Sequence, residues 1–246
     1  MVERNIKLVI HYDGTAYSGW QSQPGRDTIQ GKLEDALFRL TGRQISVTGS
    51  SRTDAGVHAL GQVANLQFDS PVPTENIARA LNNLLPGDIV IADACEVGAD
   101  FDAISSTVSK RYRYTICTAP VRPVLNIRHC WHRPGTLDIE AMRKAAALLV
   151  GKKDFKSFAS AADQRQSSVR TILLCEVTCE NPWIYIDVQA DGFLCNMVRN
   201  IVGTLVEVGR GRWQPEEIER ILAACDRAAA GPIAPASGLC LMEIHY

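Results

Sequence analysis

The same order of elements is written twice along this chain, and that constrains its fold more than any single residue does. Residues 5–12 alternate apolar and polar as a strand, and Ile29, Leu33, Leu37 and Leu40 recur at helical spacing behind an Asp27-Thr28 cap. Residues 45–49 and 62–68 read as two more strands, 74–84 as a short helix with a Pro-Gly stop, and 89–97 as a fourth strand. After a short join at 98–107 the order returns: strand 109–117, helix 137–150 closed by Gly151, then a strand pair, 169–179 and 183–189, around Asn181-Pro182. A long apolar helix over 193–208, a shorter one over 215–225 and a last strand over 239–246 complete it. The pattern predicts an α+β fold: two ferredoxin-like β-α-β-β-α-β units side by side, with mainly antiparallel sheets and a cleft at their join. The expected domains are 1–104 and 105–246.

Length and composition agree with that layout. The chain has 246 residues, 46% of them hydrophobic and 22% charged, the balance of a soluble globular protein long enough for two modest domains. Its longest apolar stretch, 193–209, is broken by Asn196, Arg199, Asn200 and Glu207, short of the ~20 apolar residues of a spanning helix. The opening Met1-Val2-Glu3-Arg4-Asn5-Ile6-Lys7 has no apolar export core. Eight cysteines without a Cys-x-x-Cys pair predict reduced, mostly buried thiols and a cytoplasmic location. With a net charge of −1, nucleic-acid binding has to come from a local basic surface.

Three stretches carry candidate chemistry. Ser50-Ser51-Arg52-Thr53-Asp54-Ala55-Gly56-Val57-His58-Ala59 falls on a loop between predicted strands. An Asp two residues after an Arg and followed by small residues reads as a carboxylate held open to a substrate, with a cation that keeps it ionised. It also reads as an Asx-type turn with a surface ion pair. Arg199 lies inside the apolar helix, where a buried guanidinium needs a carboxylate; Asp54, Asp191 and Glu207 are candidates, and an Arg reaching solvent is the alternative. Residues 103–137 hold no Asp or Glu but interleave Lys110, Arg111, Arg113, Arg122, Arg128 and Arg133 with Tyr112, Tyr114 and Trp131, as a phosphate-binding surface with stacking rings does. In a strand, Lys110 and both tyrosines share one face and Arg111 and Arg113 the other; the alternative is a half-exposed strand with the tyrosines in a core. Two further stretches predict no chemistry. His11-Tyr12-Asp13-Gly14-Thr15 lacks the second Asp of an aspartyl-phosphate loop, and His129-Cys130-Trp131-His132 lacks the distant second ligand pair of a zinc site.

Over Arg52-Thr53-Asp54-Ala55-Gly56-Val57-His58-Ala59 the chain resembles the TruA-type tRNA pseudouridine synthases. The resemblance runs on through Tyr12-Asp13-Gly14-Thr15 with Gly19-Trp20-Gln21, Gly61-Gln62-Val63-Ala64, Tyr112-Arg113-Tyr114, and Asp154-Phe155 with Ser157-Phe158. It ends in Asn196-Met197-Val198-Arg199-Asn200-Ile201-Val202-Gly203 and Ala234-Pro235-Ala236-Ser237-Gly238-Leu239. The resemblance implies an isomerase without cofactor or metal that converts uridine to pseudouridine at positions 38, 39 and 40 of the anticodon stem-loop of tRNA. It also implies a homodimer with one tRNA across both subunits, and an RNA-binding cleft. By the same resemblance Asp54 is the catalytic carboxylate, Arg52 enters the RNA and helps displace the target base, Tyr112 stacks on the target uracil, and Arg199 pairs with the aspartate. Lys110, Arg111 and His58 complete the expected substrate-binding set.

Such a reaction breaks the N1-glycosidic bond, turns the uracil and rejoins it through C5, which calls for a carboxylate and a stacking pocket. Asp54 has three routes open: attack at C1′, addition at C6, or proton removal at C2′ to give a glycal. Tyr112 is a candidate base for the C5 proton. Ser51, Asp102 and Ile104 stand where Gly, His and Arg are common in the family. The last two remove positive charge beside the basic segment and keep open an alternative, a non-catalytic tRNA-binding or tRNA-folding chaperone. The intact Arg52-Thr53-Asp54 argues against it.

Overall fold

The computed structural model describes residues 4–161, 163 and 165–246. Met1, Val2 and Glu3, part of the stretch read above for an export signal, lie outside them. The chain groups into two compact units, residues 4–108 with Leu241–Tyr246, and Ser109–Cys240. This differs from a split after residue 104, because the last six residues, expected with the second half, belong to the first unit.

In the first unit the order is β1 (Arg4–Tyr12), α1 (Ile29–Thr41), β2 (Thr48–Gly49), β3 (His58–Phe68), α2 (Thr74–Asn82) and β4 (Ile89–Val97). The strands lie in the order β4-β1-β3-β2, each pair antiparallel. Alternation along β1 buries Ile6, Leu8 and Ile10 completely, and Ile29, Leu33 and Leu37 of α1 with Ile77 and Leu81 of α2 are equally buried. Each such side chain contributes about 1.5–3 kcal/mol relative to exposure. Asn5, pointing the other way from β1, donates to Gly98 O (3.0 Å) and Phe101 O (2.8 Å), and Asn65 accepts from Ala103 N (3.0 Å). These amides tie the 98–103 segment to the sheet. β2 is shorter than the strand expected over 45–49 for a local reason. Glu34 of α1 accepts from Val47 N (3.2 Å) and Gln30 donates to Val47 O (3.1 Å), so side chains take the backbone groups that a longer strand would pair.

The second unit runs β5 (Ser109–Cys117), β6 (Trp131–His132), α3 (Ile139–Ala147), β7 (Gly151–Asp154), β8 (Val169–Glu180), β9 (Trp183–Ala190), α4 (Met197–Gly209), α5 (Glu217–Ala224) and into β10 (Leu239–His245). Its sheet is β5-β9-β8-β7, antiparallel throughout, with β6 parallel to the end of β5. The short β6 and β7 add to the expected strands. α4 begins at Met197 rather than 193, because Asn196 sits at φ 61, a left-handed conformation that Asn tolerates, and the regular helix starts only beyond it. The part of β10 from Leu241 on runs beside β3 in the first unit. No helix among the described residues is long and apolar enough to cross a membrane. All eight cysteines are free, but only Cys117, Cys130 and Cys175 are buried, fewer than expected; Cys179 and Cys225 are exposed.

Candidate active site

The Asp54 loop in the first unit is held through both its backbone and its buried side chains. Gln62, fully buried on β3, accepts from Ser51 N–H (3.2 Å) and donates to Ser51 C=O (2.6 Å), replacing a ladder pair. The hydroxyls of Tyr12 and Thr53 are hydrogen-bonded (2.8 Å), and Trp20 N donates to Thr53 O (3.0 Å). Val57 N donates to Asp54 O (3.1 Å), closing a turn in which Gly56 takes φ 78, the value a type II turn requires. Behind the loop, a Cβ on Gly19 would lie 2.5 Å from Thr53 O, so only glycine allows this approach. Thr53 is buried while Asp54 is half-buried and Arg52 exposed. The arrangement fixes the position of a carboxylate and leaves a guanidinium two residues away free to reach outward.

His58, at the start of β3, is buried, and its Nδ1 accepts from Gly14 N (3.1 Å) while lying 3.1 Å from Asp13 Oδ1. It joins the end of the loop to the 3-10 turn after β1. Asp13 itself accepts from Thr15 N (2.9 Å) and so caps that turn. Asp102 has an equally local role. It accepts from Ile104 N (3.0 Å), Ser105 N (2.8 Å) and Ser105 Oγ (3.0 Å), and the Ser105 backbone bond foremost holds its carboxyl below the ordinary value.

In the second unit Tyr112, Lys110 and Arg111 stand on β5 and Arg199 on α4. Tyr112 is buried with its ring edge-on to Phe193, centroids 5.1 Å apart. Tyr114, on the same face, donates to Pro235 O (2.8 Å), and burial pushes its hydroxyl well above the usual phenol range, opposed by the nearby charge of Arg199. Arg199 is the one α4 residue that is not buried. Its Nε donates to Ala234 O (2.8 Å) and its guanidinium to Asn196 Oδ1 (3.1 Å). The 234–239 loop therefore receives Tyr114 from β5 and Arg199 from α4, and fixes one against the other. Two carboxylates considered for Arg199 are used elsewhere in the unit: Asp191 accepts from Thr171 N (3.0 Å), and Glu207 pairs with Arg210 and Arg212 (2.9 Å each).

The basic segment divides by face. Arg113 is bound to Asp187 through Nε (3.1 and 3.2 Å) and a terminal nitrogen (3.0 Å), with its guanidinium 5.2 Å from the Tyr185 ring. That bonding raises its pKa and occupies one edge of the guanidinium. Lys110 and Arg111 are half-buried; burial, then the charge of Arg165, pulls the Lys110 ammonium down to about 8. Arg122 and Arg128 are exposed on the 118–130 loop. In the His129-Cys130-Trp131-His132 stretch, His132 Nε2 lies 2.9 Å from Ala119 O, and burial pushes the Cys130 thiol up to about 11. The supporting roles of Gln62, Gly19, Ala234 and Pro235 are not readable from residue type; their one sequence signal is that each falls inside a stretch shared with the resembled family.

The family described as tRNA pseudouridine synthase matches residues 8–104 and 145–246, well over half the chain and including Asp54 and Arg199. The chain belongs to this family. It is 46% identical over 243 residues to tRNA pseudouridine synthase A of Caldicellulosiruptor saccharolyticus, covering 99% of this chain and 100% of that one. It is 46% identical over 243 residues to tRNA pseudouridine synthase A 2 of Clostridium perfringens, with the same coverage, and 45% identical over 241 residues to the synthase A of Syntrophotalea carbinolica, covering 98% and 96%. Membership places the chain among the isomerases that convert uridine to pseudouridine in tRNA. Among solved structures, a Cbf5-Nop10-Gar1 complex is similar over 96% of this chain and 48% of that chain, at 10% identity and a TM-score of 0.39, too distant to add to the assignment.

Proposed function

We propose that this synthase acts at positions 38, 39 and 40 of the anticodon stem-loop, in the cytoplasm and as a homodimer, with Asp54 as its catalytic carboxylate and no cofactor. The observation that carries the reading is the construction of the Asp54 loop. Buried Gln62 and Trp20 N hold its backbone, the Tyr12 hydroxyl holds the Thr53 side chain and the bare Cα of Gly19 admits Thr53 O, while Arg52 is exposed and Asp54 half-buried. A segment that only had to turn needs none of these supports, and a surface that only bound RNA gains nothing from a carboxylate placed among phosphates.

In this reading the uridine leaves its stack, at about a few kcal/mol. Arg52 takes the vacated space, and stacking on Tyr112 returns about 1–3 kcal/mol. Phosphate contacts from Lys110 and Arg111 add to it. The N1–C1′ bond breaks, the base rotates while held, and the C5–C1′ bond forms. The C5 proton leaves to a base, N1 regains one, and no electron is gained or lost overall. Each of the three routes for Asp54 uses its carboxylate, and Arg199 is the cation assigned to balance it. His58 contributes to binding through Gly14, by keeping the end of the loop in place. The local capping role of Asp102 accounts for its departure from the family pattern without recourse to a chaperone.

The test is to incubate the full chain with an unmodified tRNA carrying uridines at 38, 39 and 40 and to map pseudouridine chemically. Conversion confined to those positions is the expected result. Conversion elsewhere overturns the positional assignment, and binding without conversion turns the reading toward the chaperone. Sedimentation of the chain with and without tRNA checks the dimer.

A further inference from the structure

We infer that the second unit carries a separate phosphate-binding site in which Arg133, Arg210 and Arg212, gathered around the single carboxylate of Glu207, take a phosphate of the tRNA backbone. The inference rests on the tRNA reading above and adds a contact to it. The segment leaving β6 brings Arg133 to the C-terminal end of α4. Arg133 N donates to Cys117 O (2.8 Å) at the end of β5, and five residues later Asp138 N donates to Gly209 O (2.7 Å). Just past that end, Arg210 and Arg212 each donate to one oxygen of buried Glu207 (2.9 Å each). Their side chains remain 33% and 56% exposed, so the N–H groups not used on Glu207 face outward.

Two guanidiniums bonded to one carboxylate, with the charge of Arg133 within reach of all three, leave two positive charges in excess, more than the partial charge of a helix C-terminus calls for. Arg133 has no side-chain hydrogen bond among the described residues. Burial and then the charge of Arg210 lower its pKa, a strain that a bound anion relieves. The carboxylate of Asp138 is turned away to cap α3 at Ala141 N (2.9 Å) and does not compete. Forked guanidiniums match phosphate oxygens in pairs. Arg210 lies eleven residues beyond Arg199, about 16 Å along the helix at ~1.5 Å per residue. That exceeds the ~8 Å screening length at physiological salt, so the two act as independent contacts.

The test is binding of labelled, unmodified tRNA to the full chain from about 50 to about 300 mM KCl, with wild type, R133Q, R133K, R212Q and, as control, R220Q, whose arginine pairs with Glu217. R133Q and R212Q are expected to weaken binding about three- to tenfold at low salt and to reduce the slope of log affinity against log salt by about one. R133K keeps the slope, which a purely structural role does not explain, and R220Q behaves as wild type. An unchanged slope in R133Q and R212Q, or a wild type that binds no tRNA, overturns the inference. So does inorganic phosphate that binds in an Arg133-dependent way while the tRNA slope stays constant, because the site then serves a free phosphate. Pseudouridine formation by the same wild-type preparation separates the two readings: an active wild type with unchanged slopes sinks only this site.

Discussion

Lys110 and Tyr112 stand two residues apart on one face of β5, and each carries a property that the rest of that strand does not need. Burial brings the Lys110 ammonium down to about 8 from 10.5. Between those values the unfolded chain keeps a proton that the folded chain has lost, so stability contributed by this group rises with pH across the window. The attraction to RNA phosphate proposed for it runs the opposite way and is lost as pH rises through about 8. Binding of tRNA measured from pH 6.5 to 9.5 is expected to weaken about fivefold through this one group, a contact of ~1 kcal/mol, and Lys110→Arg to flatten the profile. Tyr112→Phe keeps the ring against Phe193 and removes the hydroxyl. If Tyr112 takes the C5 proton, turnover falls at least about a hundredfold with tRNA affinity unchanged; full activity leaves Tyr112 as a stacking ring only. Asp54, Arg52 and Arg199 were legible as candidates because charged residues among small or apolar neighbours stand out. Their supports were not, since Gln62 in a strand looks the same whether it faces solvent or clamps Ser51.

At the scale of elements, the loop between β2 and β3 depends on parts far from it in sequence. Gln62→Ala leaves both backbone groups of Ser51 buried without their partners, which costs about 2–4 kcal/mol. Urea denaturation is expected to show that loss. Turnover should fall more than tRNA affinity, because the contacts proposed for Arg52 and for the second unit remain. Equal loss of both, or neither, contradicts the role given to the clamp. The elements themselves were readable where periodicity ran long, as in α1, β8 and β9. They were misjudged where a side chain or a single dihedral intervened: Glu34 and Gln30 curtail β2, and left-handed Asn196 delays α4. Neither effect has a period for a sequence reading to detect.

Over the whole molecule, the repeated β-α-β-β-α-β order was visible because each half states it in full, whereas the destination of the last residues was not, since a strand's partner is not written in the strand. Leu241 is fully buried, the Tyr246 ring lies 4.9 Å from Phe101, Tyr246 donates to Ala103 O (3.1 Å), and Val108 N donates to His245 O (2.8 Å). Removing 241–246 is expected to cost the first unit at least about 3 kcal/mol, from one buried Leu and the lost hydrogen bonds. Deuterium exchange should then quicken in β1 and β3 and not in β8 and β9. Uniform quickening contradicts the grouping of these residues with the first unit.

Whether Asp54 is the catalytic carboxylate of this uridine isomerase is decided by tritium release from tRNA labelled at uridine C5. The assay compares wild type with Asp54→Ala, with neither metal nor nucleotide added and with tRNA binding measured alongside. Stoichiometric release by the wild type is expected, and none by the variant, which still folds and binds tRNA. Substantial release by Asp54→Ala, or none by a wild type that binds tRNA, contradicts that role.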